Sequence, residues 1–216
     1  MIHLILTDKE IRNYSTKVPP LIDGFKEESL QSESYDLTIG NIVSKYDSDF
    51  KILDLQNQAS IDEAYISIPI PAEGYLIGPK EYVLVSIEEK LNIPCNITAH
   101  VRPRTKFTRI GLIVSGQHCN SCYSGFLNLG LYNVNPFAVK IYAGMKLAQI
   151  VFEELKSTPS SEKQYRGSYQ GEKGTVGADF TSEQALSELA TGKDREKFFQ
   201  DETAKEVYDI LIKGLE

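Results

Sequence analysis

The sequence predicts a mainly β protein, a β-sandwich or distorted barrel, with a short N-terminal helix and a helical C-terminal appendage. Three observations predict it. From about residue 34 the apolar stretches are short and punctuated by Gly and Pro. One of them, Phe126 to Tyr132, alternates Leu127, Leu129 and Leu131 with Asn128, Gly130 and Tyr132, the period of a strand with one buried face. Helix signals occur only at the two ends of the chain.

Thr7-Asp8-Lys9-Glu10 reads as a capping box, with Thr7 as N-cap and Glu10 reaching back. A turn-rich stretch with Pro19, Pro20 and Gly24 follows. Strands are expected at 34–39, 82–87, 97–102, 112–115, 126–132, 138–142 and 147–152. Residues 155–178 are polar and Gly-rich, with Tyr165 and Tyr169 among Gly167, Gly171, Gly174 and Gly177; they predict a surface loop or a mobile lid. From about 181 the pattern turns helical, with Thr181 and Gln184 as a second capping box and Gly192 as a stop. Val207, Leu211 and Leu215 then share one face.

The chain has 216 residues, enough to bury a sizeable core without staples. Its net charge of −7 argues against a general nucleic-acid binder, because that affinity is mostly phosphate neutralisation. The start lacks a basic n-region and a long apolar run, so neither a signal peptide nor a membrane span is expected. Three cysteines, Cys95, Cys119 and Cys122, are an odd number and point to a reducing cytoplasm.

The charge is unevenly spread. Between Cys95 and Ile150 there is no Asp or Glu in 56 residues, but there are six cations: Arg102, Arg104, Lys106, Arg109, Lys140 and Lys146. That window carries +6 and the rest of the chain −13. Four of the cations fall in Arg102–Arg109, with Thr105 and Thr108 adding hydroxyls. A cationic, hydroxyl-rich turn suits a polyphosphate. The same cations could instead pair with acids elsewhere in the fold or in another subunit, and charge alone leaves the two readings even. A general base from this window cannot be a carboxylate; His100 and His118 are its only histidines.

The order of motifs resembles the dCTP deaminase and dUTPase superfamily, closest to its dCTP deaminase branch, from residue 1 to about 178. Leu6-Thr-Asp-Lys-Glu-Ile11 is similar to the opening helix of that branch, and Ser34-Tyr-Asp-Leu-Thr-Ile-Gly40 to the first motif. Arg104 to Leu112 resembles the phosphate-binding turn. Tyr132-Asn133 stands where the family has a Tyr-Asn pair, and Tyr142 to Gln149 is similar to a Pro-Gly-Met-Lys-Ile-Ala-Gln strand. Tyr165 to Thr175 resembles a Tyr-Gln-Gly lid.

The resemblance implies a distorted β-barrel or jelly-roll of the dUTPase-like type over residues 1–178, with a lid at about 160–178 and a helical extension at 179–216. It implies a homotrimer that binds a pyrimidine deoxynucleoside triphosphate between subunits, with magnesium on the phosphates and no metal ligated by the chain. Arg104, Thr105, Lys106, Arg109 and Gln149 would face the phosphates. Tyr132, Asn133 and Asn120 would line the base and sugar pocket. Tyr165, Tyr169, Gln170, Lys173 and Thr175 would form the lid. The family activity would be dCTP deamination, with dUTP pyrophosphatase chemistry in some members.

The sequence departs from that pattern at the catalytic positions. Gly130 stands where the deaminase branch has the glutamate that activates water, and Asn120 where the dUTPase turn has its aspartate. Neither offers a proton acceptor, and a general base is commonly worth about 10²–10⁴-fold. Glu172 stands where the lid is expected to have Gln. The expectation is therefore a nucleotide binder with deamination weakened or lost. Two alternatives remain open. One is a working deaminase with a displaced base, from outside 95–150 or from His118 as a surrogate. The other is a scaffold that binds a protein partner through 181–216.

Cys119-Asn-Ser-Cys122 after His118 invites a zinc or redox reading. The zinc-deaminase pattern needs His-x-Glu and Pro-Cys-x-x-Cys, both absent here, so two ordinary thiols in a turn are expected.

Overall fold

A computed structural model describes residues 4–55, 57–175 and 177–181. In chain order the elements are β1 (Leu4–Ile5), α1 (Asp8–Ser15), β2 (Ile22–Asp23), β3 (Tyr35–Tyr46), α2 (Gln58–Glu63), β4 (Tyr65–Pro69), β5 (Tyr75–Ile77), β6 (Tyr82–Asn92), β7 (Ile97–Pro103), α3 (Thr105–Arg109), β8 (Leu112–Val114), β9 (Gln117–Cys119), β10 (Ser124–Asn133), β11 (Val139–Ile141) and β12 (Lys146–Glu154). Short 3₁₀ turns lie at Glu27–Ser29 and Ser161–Lys163.

The chain divides into two units. One comprises 1–48 and 65–176, the other 49–64 and 177–216. The first is a curled antiparallel sheet in the order β8-β10-β6-β3-β12-β7-β9, with β1 on β12, β2 on β6 and β4 on β3; β5 and β11 form a separate pair. In the second, Gln58 of α2 donates to Ala178 O at 3.0 Å and accepts from Phe180 N at 3.1 Å. The expected helices beyond Thr181 lie outside the described residues.

Each expected strand forms. Five short ones, β1, β2, β4, β5 and β9, are additional, because two to five residues are too few to display a period. α1 starts at the expected cap: the Thr7 amide donates to Glu10 Oε2 at 2.9 Å, and its hydroxyl donates to the same oxygen. Along β10, Leu127, Leu129 and Leu131 are buried and Asn128 and Tyr132 half-buried, as the alternation requires, whereas Gly130, expected on the outward face, is buried too. Those leucines join Tyr35, Leu37, Ile39, Val85, Ile87, Ile150 and Phe152 in one core.

Two irregularities position the site. β3 slips register against β6 between Ile39 and Val43, and β10 slips against β6 between Phe126 and Asn128. Such slips bend a strand and re-aim its side chains. Next to the first, buried Glu89 of β6 accepts from the Thr38 amide at 2.9 Å, and burial raises its pKa.

Among the described residues no helix is long and apolar enough to cross a membrane.

Candidate functional site

The basic turn is built around an apolar anchor. Phe107 is buried in the middle of α3, which turns Thr105, Lys106, Thr108 and Arg109 outward to solvent. Arg104 precedes the helix and points back to the sheet. Its Nη1 lies 3.4 Å from Asp36 Oδ2, and Lys146 Nζ lies 3.5 Å from the same oxygen. Gln31 Nε2 donates to it at 3.1 Å. The Asp36 side chain is only 2% exposed, so a buried carboxylate on β3 receives two cations and an amide. Gln149 stands opposite both Asp36 and Arg102, which puts these three residues in one row across β3, β12 and β7.

Pairing with an acid of the fold accounts for two of the six cations. Arg104 and Lys146 pair within the fold. Arg102, Lys106 and Arg109 are exposed and make no ion pair among the described residues. Asp36 was legible only as part of a motif; its role as the counter-charge needed the register of β3 against β12.

The half-buried face of β10 carries the next group. The Gly130 amide donates to Ser115 Oγ at 2.8 Å, and the Ser115 amide donates to Gly130 O at 2.8 Å. Over Gly130 lies the Tyr82 ring. A Cβ at 130 would meet Tyr82 Oη at 2.3 Å and two of its ring carbons at 2.8 Å. Tyr82 in turn stacks on Tyr46 at 6.2 Å, and Tyr46 packs on Tyr65 at 4.6 Å. Nothing local in the sequence marks Tyr82, because it reaches Gly130 from a different strand.

Asn133 is 0% exposed and its amide is committed. Nδ2 donates to the carbonyls of Ile77, Gly78 and Phe137 at 2.8–3.0 Å, while Oδ1 accepts from the Asn135 backbone and side chain at 3.0 and 2.9 Å. It clamps the loop after β10 to β5. Its neighbour Tyr132 is half-exposed. Asn120 is exposed in the turn after β9. His118 is exposed on β9, with its ring 5.0 Å from that of His100, whose Nε2 lies 4.0 Å from Glu153 Oε1.

The lid packs along the chain's own sheet. Tyr165 sits against Tyr123 at 6.0 Å between ring centres. Gln170 Oε1 accepts from the Ser124 amide at 3.2 Å, and its Nε2 donates to Cys122 O at 3.1 Å. The Gly171 amide donates to Ser124 O at 2.7 Å and the Phe126 amide to Glu172 O at 3.0 Å, so the lid adds a short rung to β10. Glu172 Oε1 accepts from Asn128 Nδ2, and Thr175 meets Ser44 at 2.5 Å and Ser67 at 3.2 Å. Burial pushes the Glu172 carboxyl up to about 7, against the lowering effect of Asn128. Tyr169 and Lys173 stay exposed. Lys173 and Gly174 roof a cleft of about 600 Å³ whose walls include Gly40, Ser86, Glu88, Phe126 and Gly144. No hydrogen bond or ion pair among the described residues joins α3 to the lid.

The cysteines correct the expectation of ordinary thiols. Cys122 is bonded to Cys95, with their Cα atoms 4.4 Å apart. Cys119 is free and buried, and burial pushes its thiol up to about 12. The Cys122 sulfur is committed to that bond, so the zinc set of Cys119, Cys122 and His118 is overturned, as is a Cys119–Cys122 redox pair. The expected three free thiols, on which the cytoplasmic reading rested, are reduced to one. Spacing in sequence could not show that the turn after β6 meets the turn after β9.

Comparison with known proteins places this geometry. The profile of the dCTP deaminase-like family matches residues 5–155. The chain is 34% identical over 174 residues to "dCTP deaminase, dUMP-forming" of Sulfurihydrogenibium sp. (strain YO3AOP1), covering 80% of this chain and 95% of that one. It is 28% identical over 178 residues to the dCTP deaminase of Metallosphaera sedula, covering 82% and 99%. The crystal structure of 2'-deoxycytidine 5'-triphosphate deaminase from Agrobacterium tumefaciens superposes with a TM-score of 0.58 at 17% identity, over 71% of this chain and 47% of that one, a likeness of fold. With a matching profile over more than half its length and a close relative matched almost end to end, this chain belongs to the dCTP deaminase-like family.

Proposed function

We propose that the chain binds a pyrimidine deoxynucleoside triphosphate, dCTP or dUTP, at interfaces between three copies of itself, with deamination weakened or lost. One observation carries the loss: the space for a carboxylate at position 130 is occupied by Tyr82. The phenol is no substitute. Burial first, and Tyr46 second, raise its pKa, so it holds its proton at neutral pH, whereas a general base works best with a pKa near the working pH. Asn120 offers no proton acceptor either.

Anion binding is supported by Arg102, Lys106 and Arg109, which have no acidic partner among the described residues, beside the hydroxyls of Thr105 and Thr108. A site shared between copies is supported by the absence, among the described residues, of any hydrogen bond or ion pair that joins α3 to the lid of the same chain. Magnesium fits only as a counter-ion carried on the phosphates, where it would neutralise charge. No acid lies between 95 and 150, and Asp36 is enclosed by Arg104, Lys146 and Gln31. The chain's own part is to hold the phosphate oxygens with Arg and Lys and to exclude water with the lid.

The test is product analysis. The protein is incubated near stoichiometry with dCTP or dUTP and magnesium, products are resolved by anion exchange, and Tm is recorded with each nucleotide. The expected result is a higher Tm with at least one nucleotide and no dUTP or dUMP formed from dCTP. If no nucleotide raises Tm, binding is refuted; conversion of dCTP refutes the loss of catalysis.

One observation favours a second reading, turnover with a displaced base. Glu172 brings a half-buried carboxyl to Asn128, two residues from Gly130 on the same face of β10. Should conversion occur, Glu172→Gln would abolish it while leaving the nucleotide-induced rise in Tm.

A further inference from the structure

The contact between Glu172 and Asn128 has chemistry that nucleotide binding does not require. The Glu172 side chain is half-buried where the lid meets β10, and the Asn128 amide is the one group that offsets the effect of that burial on its carboxyl. Asn128 Nδ2 donates to Glu172 Oε1, and the Asn128 backbone carbonyl accepts from Gln117 Nε2. Asn128 Oδ1 is buried and has no partner among the described residues, and neither has the hydroxyl of buried Tyr123. Tyr123 and Tyr165, the ionisable groups that feel Glu172, are phenols whose pKa burial raises. Charged groups near this end of the lid include Lys173, the next residue, Glu88 of β6, which faces the cleft and pairs with Lys26 at 3.1 Å, and Lys90 of β6, which stands opposite Phe126.

We propose that Glu172 is a proton-dependent latch, whose neutral carboxylic acid docks the lid on β10 by accepting from Asn128 Nδ2 and donating its own O–H to the unpartnered Asn128 Oδ1. Closing the lid then takes up one proton from solvent, and opening releases it. Because Lys173 and Gly174 roof the 600 Å³ cleft, access to that cleft is coupled to the same proton. An ionised carboxylate would meet Oδ1 as a second acceptor, which is repulsive, and would be desolvated without a cation.

The direction in pH follows from the raised pKa of the docked state. A carboxyl that titrates at about 7 when docked and near its ordinary 4.5 when free favours docking in its neutral form. The contribution is complete below about 4.5, declines as pH rises, and is gone above about 7.

The test is hydrogen exchange on the full chain without nucleotide, so its failure is separate from failure of the binding reading. Exchange is followed at the Gly171 and Phe126 amides, which make the rungs between lid and β10, from pH 5 to pH 8.5 and corrected for intrinsic exchange. Protection in the wild type is expected to fall by about tenfold or more between pH 5 and pH 7.5, one pKa unit corresponding to a factor of ten. Glu172→Gln, a permanently neutral partner with a donor for Oδ1, is expected to stay protected at every pH. A flat wild-type profile, or the same decline in Glu172→Gln, overturns the latch. Should that variant fail to fold, the side-chain carboxyl ¹³C shift of Glu172 in the wild type decides: a midpoint near 7 supports the latch and one near 4.5 overturns it.

Discussion

Gly130 shows how much chemistry one missing side chain controls. A Cβ on it would meet the Tyr82 ring, so any side chain here requires that ring, the end of a partly exposed side chain, to move. Gly130→Glu alone is therefore expected to destabilise the fold by about 1–3 kcal/mol, the usual cost of overpacking. Made on top of Tyr82→Ala, which vacates the space, the same Gly130→Glu change should cost less than it does in the wild type. Urea unfolding of the single and double variants checks it; a Gly130→Glu protein as stable as wild type would show that the ring swings away freely. The double variant is also the rational starting point for deaminase activity, since it returns a carboxylate to the strand. Asn133 teaches the reverse lesson. Its motif position suggested contact with ligand, but it spends its amide on three carbonyls and Asn135, so its contribution is to the loop geometry.

At the scale of elements, the turn between β9 and β10 is where the lid, the sheet and the disulfide meet. Cys122 O receives Gln170, while the Cys122 sulfur ties the turn to the loop after β6. The bond closes 27 residues of chain, which in the chain-entropy account corresponds to about 3.5 kcal/mol. Reduction, or Cys95→Ser, is expected to lower Tm and to raise hydrogen exchange across 168–172. Calorimetry with and without a dithiol reductant measures it, and an unchanged Tm would mean that the bond is not formed in solution. The strands that hold this turn were legible wherever they were long enough for apolar alternation to register, as in β10. The pairing of Cys95 with Cys122 was not, because it depends on where two separate turns end up.

For the whole molecule, charge separation is the organising property. The acid-free window carries +6 inside a chain of −7. Asp36, from outside the window, offsets Arg104 and Lys146. Lys106→Ala and Arg109→Ala are each expected to weaken triphosphate binding about tenfold, or ~1.4 kcal/mol, without lowering the Tm of the free protein. Arg104→Ala should lower both, because it also strips a cation from a buried carboxylate. Titration calorimetry beside thermal melts separates the two classes. Equal Tm losses in all three variants would place Lys106 and Arg109 in structure and not in binding.

The sequence by itself determined the β class, the longer strands, the capped first helix and the acid-free basic turn. These follow from local alternation, local spacing and local composition, which a linear chain displays directly. It also determined that positions 120 and 130 hold no proton acceptor. Only the tertiary structure decided which cations are already paired, what covers Gly130, which cysteine bonds which, and where Glu172 lies. Each of those depends on residues distant in sequence being brought within a few ångströms by strand register, and burial then changes what their charges and hydrogen bonds can do.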